Sequence, residues 1–154
     1  ERVVVTDETL DRLEEIIGGD RFGIASGSPA NTARYALGAA IERFNPEAQA
    51  WQDDVEKAEE AAGRRGLGKP NPYLLTLSAK PYQPIKRVLY VGDTLADMLM
   101  AERAGDRYLF AGVYGCVAAG GEARQAFLDA GCDVVAYSVN DLPTVLRLAR
   151  RDTL

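Results

Sequence analysis

Short apolar runs alternate along the chain with apolar residues at helical spacing. The short runs predict strands, namely Phe22 to Ala25, Arg87 to Val91, Tyr108 to Val113 and Asp133 to Tyr137. Apolar residues three or four positions apart predict helices that begin after Thr6 and Asp7, near Pro29 and Pro72, after Asp93, and at Glu122 and Asp141. Strands that alternate with helices through short loops are typical of an α/β fold with a doubly wound parallel sheet.

The segment 45–66 differs from its surroundings in composition. It is rich in Glu, Ala and Gln and contains the single tryptophan, Trp51. A charge run of this kind usually forms a solvated surface. We therefore predict an acidic helical insert over 45–66, lying within a single domain that spans residues 1–154.

Composition and charge narrow the classes of function. The net charge of −5 argues against nucleic acid or an anionic membrane as the main partner. Cys116 and Cys132 lie outside any CxxC spacing and predict free thiols in the cytoplasm. Histidine is absent, which excludes Ser-His-Asp and Cys-His catalysis and His-ligated zinc. Chemistry on this chain must use carboxylates, Lys, Arg, hydroxyls and hard metal ions.

Polar side chains follow or adjoin the predicted strands and loops where ligands bind in a parallel sheet. Ser26 ends the first strand, and Gly27 and a helix near Pro29 follow it. A hydroxyl and free N–H groups at a helix start suit a phosphate group, although a simple helix cap explains the same residues. Lys69 lies in the loop GLGKPNP, where a held ammonium would neutralise phosphate charge. An ordinary surface lysine is the alternative.

Two carboxylates stand where the strand around Val91 gives way to a helix. Asp93 and Asp97 are four residues apart and therefore share one face at the helix N-terminus. Mg²⁺ typically takes one or two such carboxylates together with phosphate oxygens and waters. The alternative is that Asp93 caps the helix and Asp97 interacts favourably with its dipole.

Taken in order, these stretches resemble a known family. SGS at Ser26, GKPNP around Lys69 and VLYVGDTLADMLMAERAG around Asp93 and Asp97 resemble the second, third and fourth motifs of the haloacid dehalogenase superfamily. The resemblance covers about Thr6 to Leu146 and is greatest to the phosphoglycolate-phosphatase-like branch with a helical cap. It implies a Rossmann-like fold and a Mg²⁺-dependent phosphatase acting on a small phosphorylated metabolite.

The resemblance also implies a role for each matched residue. Ser26, Gly27 and Lys69 would bind the phosphoryl group, and Lys69 and Asp97 would be catalytic, with Asp97 orienting Lys69 or a metal-bound water. Asp93 and Asp97 would bind Mg²⁺. The reaction would transfer a phosphoryl group to an aspartate and then hydrolyse the aspartyl-phosphate.

The nucleophilic aspartate of that family belongs to a first motif, Asp-x-Asp-x-Thr, which this sequence lacks. The nearest stretch is VVVTDETL, where Asp7 and Thr9 would match but Val5 would replace the nucleophile. Thr6 and Asp7 as a helix cap explain these letters more simply. We therefore expect an N-terminal segment or another chain to supply the first motif and the cap, and we expect the chain alone to be inactive.

The position of that motif in the family predicts an incomplete sheet. Its strand would lie centrally, between the Ser26 strand and the Asp93 strand, so its absence leaves unpaired backbone on both sides. Alternatively, residues 2–5 would fill part of this gap.

Two other functions are compatible with the residues. The first is a catalytically inactive haloacid-dehalogenase-like module that binds a phosphate ligand or a protein. The second is a dinucleotide binder that uses YGCVAAGGEA, although its glycines do not form GxGxxG after the first strand. A scaffold without catalysis needs none of Ser26, Lys69, Asp93 and Asp97, so their presence together favours the enzyme over the inactive module.

Overall fold

The computed structural model describes residues 4–152, and the side chains of residues 4–148. The helices are α1 (Asp7–Ile17), α2 (Ala30–Leu37), α3 (Gln52–Ala62), α4 (Tyr73–Ala79), α5 (Leu95–Ala104), α6 (Gly120–Asp129) and α7 (Leu142–Asp152). The strands are β1 (Ile24–Ala25), β2 (Gln49–Ala50), β3 (Val88–Gly92), β4 (Tyr108–Val113) and β5 (Val134–Ala136).

The strands form two parallel sheets. β1 pairs with β2, and β3, β4 and β5 pair in that order. Tyr90 lies opposite Phe110 in the register of β3 and β4. Parallel neighbours joined through helices confirm the predicted α/β fold.

Helices cover both faces of the larger sheet because side chains alternate along its central strand. Phe110 of β4 points into a cluster with residues of α4, α5 and α6, including Phe127. Its neighbour Ala111 points into a second cluster that contains Leu13 of α1 and Leu142 of α7. This two-sided packing is the doubly wound arrangement that the sequence predicts.

A break separates the two sheets. Within the described residues, β1 pairs only with β2 and β3 pairs only with β4, so one edge of each strand has no paired neighbour. Helix α4 contacts β1, β2 and α5, and thereby holds the two sheets together. The described strands thus form two separate parallel sheets, an arrangement compatible with the predicted incomplete sheet.

Residues 4 and 5 do not fill this break as a strand. They lie in a bend, and Val5 packs with Leu10 and Phe22. Residues 2 and 3, which share the alternative prediction, lie outside the described part of the chain. Thr6 caps α1 as expected, its side chain accepting a hydrogen bond from the N–H of Thr9.

Residues 45–66 contain more than the helix that their composition predicts. Helix α3 covers Gln52–Ala62, but the preceding residues Gln49–Ala50 form β2 and pair with β1. Trp51 and Val55 are buried. The first part of this segment thus belongs to the sheet, and two-residue strands of this kind carry too short an apolar pattern to be recognised from sequence.

Candidate active site

Asp97 is buried beneath the end of β3 by a local capping arrangement. Thr94 is the N-cap of α5, and its hydroxyl accepts a hydrogen bond from the N–H of Asp97 at 3.1 Å. The Asp97 carboxylate in turn accepts from the N–H of Thr94 at 3.2 Å and from that of Asp93 at 3.2 Å. This is a capping box, in which the residue three positions into the helix returns to the cap.

Gly92 makes room for the Asp97 carboxylate. A Cβ atom at position 92 would lie 2.5 Å from the Cβ of Asp97 and 2.7 Å from its Oδ2. No side chain can therefore stand here without moving Asp97. The close approach of Asp97 to the end of β3 thus requires glycine at position 92.

Lys69 forms an ion pair with Asp97. Its Nζ lies 2.5 Å from Asp97 Oδ1, with the lysine side chain 27% exposed and the aspartate side chain 3% exposed. The loop that carries Lys69 is fixed by Asn71, whose side chain donates to the carbonyl of Gly66 at 3.1 Å and accepts from the N–H of Tyr73 at 2.9 Å. The ammonium group is thus held and partly open to solvent.

Asp97 remains ionised because its hydrogen bonds outweigh its burial. Burial alone would raise the pKa of this carboxyl, but the hydrogen bond and charge of Lys69, with hydrogen bonds from Thr94 and Tyr90, lower its pKa below the ordinary value. Asp97 is therefore a carboxylate at neutral pH.

Ser26 and Gly27 lie beside this pair. A Cβ atom at Gly27 would lie 3.6 Å from Lys69 Cε and 4.0 Å from Lys69 Nζ. The N–H of Ser26 donates to the carbonyl of Ala50 at 3.0 Å, and Ser26 Oγ accepts from the N–H of Ser28 at 3.1 Å. The predicted Ser26, Gly27, Lys69 and Asp97 residues thus lie at one edge of the sheets, next to the break.

Asp93 differs from Asp97 in its surroundings. It is exposed, and its carboxylate makes no hydrogen bond or ion pair with another described side chain. Among the residues that the structure describes, no three His, Cys, Asp or Glu side chains converge to hold a metal ion. A hard cation that takes one protein carboxylate here, plus waters, phosphate and groups from elsewhere, fits the free Asp93 carboxylate. Both carboxylate oxygens of Asp97, in contrast, already accept hydrogen bonds or contact Lys69.

Tyr90 belongs to the site and does not follow from the sequence motifs. Its hydroxyl lies 2.9 Å from the carbonyl oxygen of Ala25 and 3.2 Å from Asp97 Oδ1. Burial first, and then the charge of Asp97, raise the pKa of Tyr90 far above its ordinary value, so that its hydroxyl keeps its proton. The signal in the sequence is its position two residues before Gly92, which puts both on one face of β3.

Thr94 is the second site residue that the family motifs do not predict. The stretch Thr-Leu-Ala-Asp from Thr94 to Asp97 has the spacing of a capping box, which predicts Thr94 as the cap. The structure bears out this spacing, and Asp93 is not the capping residue. The carboxylate of Asp93 therefore remains free for another partner.

The family follows from comparison of the sequence with known families. The sequence model of the haloacid dehalogenase-like hydrolases matches residues 4–105, which include α1 and every predicted site residue. The chain belongs to this hydrolase family. No curated protein matches the sequence.

This haloacid dehalogenase-like chain is also similar to a solved structure. That protein, whose X-ray structure was determined as a Northeast Structural Genomics Consortium target, superposes with a TM-score of 0.70 at 26% sequence identity. The match covers 90% of this chain and 42% of that one, so the chain spans less than half the length of its relative.

Two further expectations concern the cysteines and membranes. Cys116 and Cys132 are both free thiols, as predicted. In the part of the chain that the structure describes, no helix combines the length and apolar character needed to cross a bilayer.

Proposed function

We propose that this chain is the core portion of a Mg²⁺-dependent phosphatase whose nucleophilic aspartate lies outside residues 1–154. The substrate would be a small phosphorylated metabolite, hydrolysed through an aspartyl-phosphate. The observation that carries this proposal is the Lys69–Asp97 ion pair, with Nζ and Oδ1 2.5 Å apart, beside Gly27 and at the unpaired edge of β1. Membership of the hydrolase family supports it.

The break between the sheets supports a position for the nucleophile that the proposal requires. β1 leads into Ser26, and β3 leads into Asp93, so a parallel strand between them would end among the proposed phosphate-binding groups. Such a strand would also pair with the open edges of β1 and β3. An aspartate at its carboxyl end would face Lys69, which favours a segment bearing Asp-x-Asp-x-Thr as the occupant.

Several residues of this chain would then each have a separate role in phosphoryl transfer. The hydroxyl of Ser26 and the N–H of Gly27 would hold the phosphoryl oxygens, and the Lys69 ammonium would neutralise charge that develops on them. Asp97 would orient Lys69 through their ion pair. A fixed ammonium would do this without the reorganisation that solvent water requires during transfer.

Asp93 would hold the Mg²⁺ ion. When bound, Mg²⁺ supplies charge neutralisation and orientation for the phosphoryl group. The exposed carboxylate of Asp93 is available for it, whereas both oxygens of Asp97 accept hydrogen bonds or contact Lys69. Of the two predicted metal ligands, we therefore propose Asp93 as the direct one.

The other expectations about this protein stay predictions. They are the phosphoglycolate-phosphatase-like branch, a cytoplasmic location, and partners that include neither nucleic acid nor membrane. The net charge of −5 supports the last of these.

A reconstitution experiment tests the proposed function. The chain is combined with a segment whose strand ends in Asp-x-Asp-x-Thr, and hydrolysis of para-nitrophenyl phosphate is measured with and without Mg²⁺. We expect activity only with the segment and Mg²⁺ both present. In the reconstituted protein, Lys69→Ala should reduce kcat roughly 10²- to 10³-fold through loss of a fixed charge at the phosphoryl group.

Lys57→Ala is the matched control, since Lys57 is an exposed lysine on α3. Equal turnover by the Lys69 and Lys57 variants would contradict the role of Lys69. Binding of inorganic phosphate without turnover, after the segment is bound, would favour the catalytically inactive module instead.

A further inference from the structure

The hydroxyl of Tyr90 lies between two acceptors, one in β1 and the other in the first turn of α5. Its oxygen is 2.9 Å from the carbonyl oxygen of Ala25 in β1 and 3.2 Å from Asp97 Oδ1 at the start of α5. Tyr90 itself belongs to β3. It is therefore a direct polar link across the break that separates the two sheets.

The carbonyl of Ala25 faces that break. The N–H of Ser26 donates to the carbonyl of Ala50 in β2, so residue 26 directs its backbone groups toward β2. Successive residues of a strand direct their backbone groups to opposite sides. The N–H and C=O of Ala25 consequently point away from β2, toward the unpaired edge.

In a complete parallel sheet, a carbonyl in this position accepts a main-chain N–H from the next strand. Here the tyrosine hydroxyl satisfies it. Ala25 is half-buried, and a backbone carbonyl that is shielded from water and left without a donor is costly. The hydroxyl therefore occupies the hydrogen-bonding position that an inserted strand would need.

We propose that Tyr90 is a positioning residue that satisfies Ala25 until a strand enters the break, and then donates to Asp97 alone. This inference rests on the proposed function, which places a nucleophile-bearing strand between β1 and β3. A hydroxyl has one proton to donate, so it cannot serve two acceptors fully at once. When a main-chain N–H takes over Ala25, the tyrosine proton becomes available to the Asp97 oxygen that also contacts Lys69.

Removal of the hydroxyl should then change two quantities in opposite directions. Without the Tyr90 hydroxyl, the carbonyl of Ala25 has no donor in the free chain. The main-chain N–H of the entering strand then displaces no existing hydrogen bond, so the strand binds more tightly. Without the hydrogen bond to Asp97, the carboxylate that orients Lys69 is held less firmly, and turnover falls. A residue that merely supported the fold would weaken both.

The test compares Tyr90→Phe with the wild-type chain. The probe is a fluorescein-labelled synthetic peptide with an apolar strand ending in Asp-x-Asp-x-Thr, and its affinity is measured by fluorescence anisotropy. We expect the Phe variant to bind the peptide roughly two- to tenfold more tightly, as for one neutral hydrogen bond. For the reconstituted protein, we expect kcat on para-nitrophenyl phosphate to fall roughly tenfold or more, as for a hydrogen bond to a charged group.

Tyr108→Phe is the matched control. Tyr108 begins β4, beside the strand that carries Tyr90, and its hydroxyl makes no hydrogen bond with another described residue. This variant should leave both the peptide affinity and kcat unchanged.

Equal peptide affinities for Tyr90→Phe and wild type would overturn the inference and leave the proposed function standing. Failure of the peptide to bind the wild-type chain would overturn the filling of the break, and the role of Tyr90 with it. If Tyr90→Phe does not fold, the ¹³Cζ resonance of Tyr90 in the wild type provides the reading, because it reports the hydrogen bonding of the hydroxyl. It should shift when the peptide binds, and an unchanged resonance would overturn the inference.

Discussion

At the scale of single residues, the two aspartates after β3 should respond differently to pH. The pKa of Asp97 is lowered on folding from its ordinary value of 3.8, so ionised Asp97 stabilises the folded state. This contribution is complete well above that pH and is lost as the pH falls toward and below the lowered pKa. Asp97→Asn should cost roughly 1.5–3 kcal/mol at pH 7, and the difference from wild type should shrink below about pH 4.

Urea unfolding at a series of pH values measures this difference. Asp93→Asn is the control, because Asp93 is exposed and its carboxylate has no partner among the described side chains. A loss of stability in Asp97→Asn that is the same at every pH would mean that the charge of Asp97 contributes nothing.

Gly92 gives a second prediction at this scale. Gly92→Ala places a Cβ atom 2.5 Å from Asp97 Cβ, so Asp97 or the strand end must shift. We expect a loss of roughly 1–3 kcal/mol in the free energy of unfolding. Gly121→Ala is a control with nothing within 4 Å of the added Cβ. If the two variants unfold at the same urea concentration, the crowding at Gly92 is not what fixes Asp97.

At the scale of elements, the Lys69 loop depends on one amide. Asn71 bonds the carbonyl of Gly66 and the N–H of Tyr73, and so ties the residues on both sides of Lys69. Asn71→Ala removes both bonds and should cost about 1–3 kcal/mol in stability. In the reconstituted protein, it should lower kcat with little change in KM, since a misplaced ammonium loses its effect mainly in the transition state.

The control for the loop is Asn31→Ala on α2, where the asparagine is exposed. A rise in KM with kcat unchanged in Asn71→Ala would indicate that the loop serves substrate binding and does not position Lys69 for transfer.

The same elements show what the sequence could and could not reveal. The strand around Val91 and the helix after Asp93 follow from apolar spacing, and family motifs predict Lys69 and Asp97 together. Strand β2 was not predicted because two residues are too few to show a recognisable apolar period. Tyr90 was not predicted because one of its acceptors is the main-chain carbonyl of Ala25, 65 residues away in sequence. No pattern of side chains indicates that contact.

At the scale of the whole molecule, the two sheets share an unpaired boundary, and filling it should protect particular amides from hydrogen exchange. The N–H of Val88 donates to the carbonyl of Arg107, so residues 88, 90 and 92 direct their backbone toward β4. The amides of Leu89 and Val91 therefore face the break, as that of Ala25 does from the other side.

Binding of the Asp-x-Asp-x-Thr peptide should slow exchange at these three amides, while Tyr90 and Gly92, already bonded to β4, change far less. A saturating peptide at 100 times its Kd should also add about 2.7 kcal/mol to the free energy of unfolding. Exchange measured by NMR distinguishes this from binding elsewhere, because protection spread evenly over β3 would reflect general stabilisation. Protection that alternates along β3 requires a strand paired to its open edge, and a uniform pattern would refute insertion between β1 and β3.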